Sequence, residues 1–178
     1  MKKTTLVLAA VALYTTAASA LPVVTYILQT PLYKPSTVQA AGLNVEMHGT
    51  PPGMDAEAAL AGLRGPAWVG GAPLKLLPAD VKPGRGTRLV LIFNGASAPG
   101  ETVCAEPDAL GGGSAAAGSS LRVLAVYCSA DRMLARGALS SAPVAGPGSE
   151  DYRSAMQSLL AAMFQPQNNN ISPFGGGI

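Results

Sequence analysis

Histidine and tryptophan each occur once in the 178 residues, cysteine twice, and only 5% of the chain is aromatic. A lone histidine, His48, removes most metal sites and all chemistry built on paired imidazoles. The two cysteines, Cys104 and Cys128, lack the Cys-x-x-Cys spacing of a redox pair, and neither has a basic neighbour in sequence. No Gly-x-Ser-x-Gly elbow is present to nominate a serine nucleophile. The arginines are scattered singly, without a basic run or interleaved aromatics, so nucleic acid is not expected as a partner.

What the chain does have is apolar residues, 48% of the total, ample for the core of one domain of ordinary size. Residues 1–20 carry the parts of a secretory signal: Lys2 and Lys3, an apolar run from Leu6 to Tyr14, and the small-residue end Ala18-Ser19-Ala20. Cleavage after Ala20 would send the remainder to the bacterial periplasm or exterior. The alternative is retention as an inner-membrane anchor, because no charge occurs between Lys3 and Lys34; only in that case is a membrane expected as a partner. Without Lys2 and Lys3 the 12 basic residues fall to 10, matching the 10 acidic ones, and a neutral chain does not suit a polyanion.

The strongest element signal is Thr87-Arg-Leu-Val-Leu-Ile-Phe-Asn94. Leu89, Leu91 and Phe93 point to one face and Val90 and Ile92 to the other, so this strand reads as central. Ser120–Cys128 is its expected partner, with Ser129–Arg132 turning into a further strand, Met133–Leu139. Leu43–His48 alternates apolar and polar residues, the pattern of a strand with one wet face, and Leu74–Leu77 reads as a brief strand.

Two helices are expected. Asp55 caps the first, residues 55–63, and Ser149 caps the second, in which Tyr152, Met156, Leu159, Leu160 and Met163 form a stripe with Phe164 at its edge and Pro166 as the stop. Residues 21–41 contain prolines and no helical period and read as an extended leader arm. Residues 95–120, with the Gly/Ser/Ala-rich piece 111–120, read as a flexible excursion, and 166–178 as a disordered tail. The expected fold is a single α+β domain over residues 42–165, a mixed or antiparallel sheet of four to five strands with two helices packed on one face.

Several motifs bear on chemistry. Gly95-Ala-Ser-Ala-Pro-Gly-Glu-Thr102 has the spacing of a phosphate-binding loop, but Glu101 stands where a lysine would neutralise the phosphates, and 103–108 offers no helix; no nucleotide is expected. Glu101, Glu106 and Asp108 are acidic within one loop but do not match a calcium-loop spacing, so neither a metal nor a cofactor is expected. Cys104 and Cys128, in an exported chain, are expected to pair as a disulfide. The function these features point to is a small exported binding or assembly module of the cell envelope, acting on an envelope protein partner, with no catalytic residue nominated. The alternative is a periplasmic hydrolase using His48.

Overall fold

The computed structural model describes residues 23–78, 86–95, 98–106, 111–143 and 148–166. In chain order these form β1 (Val23–Gln29), α1 (Pro35–Ala41), β2 (Leu43–His48), α2 (Ala56–Leu60), a 3-10 turn (Ala67–Val69), β3 (Leu74–Leu76), β4 (Thr87–Phe93), α3 (Gly100–Ala105), β5 (Ser120–Ser129), β6 (Arg132–Pro143) and α4 (Glu150–Met163). The strands make one six-stranded sheet in the order β1-β6-β5-β4-β2-β3. β4, β5, β6 and β1 run antiparallel to one another in turn, whereas β2 is parallel to both β3 and β4. The α+β single-domain class is as expected, but the sheet has six strands and not four to five.

β4 sits inside the sheet because both of its faces are apolar. Leu89, Leu91 and Phe93 join a large core cluster on one face, and Val90 and Ile92 a smaller one on the other. α4 supplies Tyr152, Met156, Leu159, Leu160, Met163 and Phe164 to the large cluster, to which α2 adds Ala59 and Leu60. The expected caps are present: Asp55 accepts from Ala58 N at 2.7 Å, and Ser149 Oγ from Tyr152 N at 3.3 Å. α3, a helix beyond the two expected, buries Val103 and Cys104 in the smaller cluster, on the face opposite the large cluster to which α2 and α4 contribute.

The described part of the expected leader arm, residues 23–41, is not without structure. β1 pairs with β6 along its length and α1 follows it. The reason is at the C-terminal end of α4, where the last carbonyls of a helix need donors from outside it. Gln29 Nε2 reaches Met163 O at 2.9 Å and Gln165 O at 2.8 Å, and Tyr33 Oη donates to Phe164 O at 2.8 Å. Trp68 Nε1, from the 3-10 turn, donates to the same Phe164 carbonyl at 2.6 Å. The segment is therefore bound by the helix end as well as by the sheet. The expected signal, 1–20, and the tail beyond Pro166 lie outside the described residues, and among those described no helix is long and apolar enough to cross a membrane.

Candidate functional site

β2 lies between β3 and β4, and of its polar residues Asn44 and His48 are half-buried. Glu46 is buried, a correction to the wet face expected of this strand. Its Oε2 accepts from Arg88 Nε at 2.5 Å and its Oε1 bonds to His48 Nε2 at 2.9 Å. Arg88, from β4, is 1% exposed and fully engaged: Nη1 donates to Ala130 O at 2.9 Å and Nη2 to Cys104 O at 2.8 Å. Burial raises the Glu46 pKa, yet the hydrogen bonds from His48 and Arg88, with their charges, outweigh it and hold the carboxyl below its ordinary 4.5. The network ties β2, β4, the β5–β6 turn and the end of α3 together. Among the described residues no hydroxyl or thiol is hydrogen-bonded to His48, and so the ring has no described nucleophile to activate.

Cys104 and Cys128 are bonded to each other, with Cα atoms 5.6 Å apart and a sequence separation of 24. Both are buried in the smaller cluster, where the bond fastens α3 to β5. This helix corrects the expectation of a loop here; Ala-Pro-Gly before it reads as loop and it is only 6 residues long. Glu101 stands in its first turn, as far from a phosphate-binding lysine as chemistry allows. Asp108 lies outside the described residues, and among those described no three His, Cys, Asp or Glu side chains gather as a metal site. A disulfide is consistent with an oxidising, exported location.

The Gly/Ser/Ala-rich piece is held, where a flexible excursion was expected. Gly113 N donates to Phe93 O at 3.0 Å, Thr50 Oγ1 and Ser114 Oγ are 2.8 Å apart, and Gly53 N donates to Ala115 O at 3.3 Å. The segment passes so close to the end of β2 that a methyl group on Gly112 would lie 2.1 Å from the carbonyl carbon of His48. The glycines thus serve close backbone approach, a use that composition alone cannot distinguish from flexibility.

This docked segment walls one side of a groove on the α3 side of the sheet. α3 covers the Cys128 end of that face, and among the described elements no helix covers the Arg122 end. Register places Arg122 opposite Ser140 and Leu124 opposite Ala138. A cavity of about 270 Å³ runs over Ile92, Leu124 and Ala138, and it meets a second, of about 550 Å³, bordered by Gly118, Ser119 and Ser120. Asn94 and Arg122 line both. Asn94 ends β4 with φ at 52°, a left-handed conformation that asparagine tolerates better than most residues. Its main-chain N–H donates to Arg122 O at 3.1 Å, which fixes the two residues side by side.

Among the described residues, Arg122 is the only ionisable one lining either cavity. Its guanidinium has no hydrogen-bond or salt-bridge partner among the described residues, in contrast to Arg88 and to Arg136, which lies 5.4 Å above the Tyr26 ring. An arginine, an amide and several hydroxyls over an apolar floor is the composition of a small-ligand site. Sequence reasoning did not find it, since its parts come from β4, β5, β6 and the docked segment and share no local motif. The one available signal was Arg122 itself, a charge within an apolar strand. The chain matches no protein-family model, and no curated protein or solved structure matches it.

Proposed function

We propose that this protein is an exported binding module of the bacterial cell envelope and that it binds its ligand in the groove between Arg122, Asn94 and Ala138. The observation that carries this reading is the isolated guanidinium of Arg122: a positive charge without a described partner, set at the junction of an apolar and a hydroxyl-lined cavity. The disulfide and the signal-like residues 1–20 support the envelope location. A hydrolase reading through His48 has no comparable support, since the ring is held by Glu46 and faces no described hydroxyl.

The test is retention of a ligand. Protein purified from the periplasm, or exposed to envelope extract, is examined by native mass spectrometry beside Ala138→Trp and Ser140→Tyr, which fill the groove from β6. Mass adducts or co-purifying partners that disappear in both variants support the reading. Adducts unaffected by either variant, or none at all, count against it.

A further inference from the structure

We propose that the groove recognises the free C-terminal carboxylate of a peptide that ends in an apolar residue. This rests on the reading of the groove as a binding site and names what it would bind. A single guanidinium, with no second cation among the described lining residues, suits a monoanion, because planar carboxylates take two parallel hydrogen bonds from arginine, whereas phosphates are usually held by several cations or main-chain amides.

What flanks Arg122 distinguishes a peptide from other carboxylates. On one side Ile92, Leu124 and Ala138 form a short apolar floor within about 270 Å³, room for one side chain and not for a long acyl tail. On the other side Ser119 and Ser120 offer hydroxyls that both donate and accept, as peptide N–H and C=O groups require. Asn94 adds an amide whose Nδ2 makes only a 3.4 Å contact, to Gly113 O, and whose Oδ1 has no partner among the described residues. With the carboxylate on Arg122, the last side chain lies on the floor and the preceding peptide unit meets Asn94 and the serines. Among the described residues, neither cavity is lined by an acid that would repel the carboxylate.

Three probes separate the components: acetyl-Ser-Leu with a free carboxylate, the same dipeptide as its C-terminal amide, and octanoate. Each is titrated into the isotopically labelled protein and followed by NMR at the Arg122 side chain and the main-chain amides of Ser120, Leu124 and Ala138. The acid is expected to shift these resonances and to bind roughly tenfold to a hundredfold more tightly than the amide, the usual size of a charged hydrogen bond. Arg122→Gln should bring acid and amide to the same affinity, and Arg122→Lys should restore part of the difference. Arg122 is exposed, so an unchanged spectrum elsewhere shows that these variants remain folded.

Equal binding of acid and amide at the groove would overturn recognition of the carboxylate while leaving a groove that binds. Octanoate binding more tightly than the peptide acid would overturn the peptide in favour of a lipid carboxylate. No groove shift with any probe at millimolar concentration would overturn the inference, and the Ala138→Trp comparison would decide the binding reading separately.

Discussion

Arg88 Nε donates to Glu46 Oε2 across the β2–β4 pair at 2.5 Å, with both side chains withdrawn from solvent. Removing one partner of such a pair leaves a buried charge without compensation, which costs about 3 to 5 kcal/mol. Glu46→Ala should therefore lower unfolding stability by that amount. The double variant Glu46→Leu, Arg88→Met should cost less than the single one, because no charge remains to be desolvated. Urea denaturation of the variants checks this, and a double variant worse than Glu46→Ala would show that the carbonyl bonds of Arg88 outweigh the pair.

The same carboxyl sets an acid limit. Its pKa is lowered in the folded protein, so the unfolded chain takes up its proton first. The stability it contributes is complete well above 4.5 and is lost as pH falls below that value. Denaturation midpoints measured at neutral pH and at steps down to about pH 3 should fall along this limb. In Glu46→Gln the limb should flatten, and an unchanged slope would assign acid sensitivity to other carboxylates.

Tyr127 and Tyr152 make opposite predictions from the same substitution. The Tyr127 hydroxyl is buried with no hydrogen-bond partner among the described residues, its ring edge-on to Phe164 at 5.3 Å. Burial, with Tyr33 adding to it, pushes its pKa up. Tyr152 Oη instead donates to Ala59 O at 2.9 Å. Tyr127→Phe should raise stability by about 1 kcal/mol and Tyr152→Phe should lower it by about as much. Thermal unfolding of both decides; a loss in Tyr127→Phe would mean that its hydroxyl is satisfied by water.

How much of this was legible in the sequence depended on distance along the chain. β4, β5, β6 and α4 are encoded by periods contained within each element, and the caps by Asp55 and Ser149 alone. β1 was hidden because the shift in register between Val24 and Tyr26 breaks its alternation and prolines flank it, while its partner β6 is remote. Glu46 and His48 gave the right strand and the wrong environment: alternation predicts a polar face but not that Arg88 will cover it. The groove could not be read at all, since strand order brings Arg122 and Ser140 together and the glycine segment closes the side.

The disulfide should contribute stability and not chemistry. Crosslinks closing loops of about this size are worth roughly 2 to 4 kcal/mol. The Cys104→Ala, Cys128→Ala double variant should lose that much and keep the groove shifts caused by Arg122 ligands. Thiol labelling of denatured, unreduced protein should find neither sulfur free; full labelling would remove the bond from the exported form.

Gly112→Ala tests whether the glycine segment is packed. Its methyl would fall on main-chain atoms of His48 and Gly49, which cannot swing away as a side chain can. A loss of about 2 to 3 kcal/mol is expected, near the upper range for overpacking. Gly111 and Gly118 have open space beside them, so what alanine costs there reflects only their positive φ. Equal effects at all three positions would show that the segment is not seated against β2.

The pairing of β1 with β6 also governs when the sheet can close. Synthesis delivers β1 early, but Ala138, whose carbonyl accepts from Thr25 Oγ1, comes 113 positions later. Contacts between segments so far apart form slowly, because a long stretch of chain must first be ordered. Until the β5–β6 hairpin exists, the uncharged strand Val23–Gln29 has nothing to pair with and the donors that finish α4 have no carbonyls to meet. The nascent polypeptide is thereby kept open until β6 and α4 are made, and β1 and α4 complete the structure together.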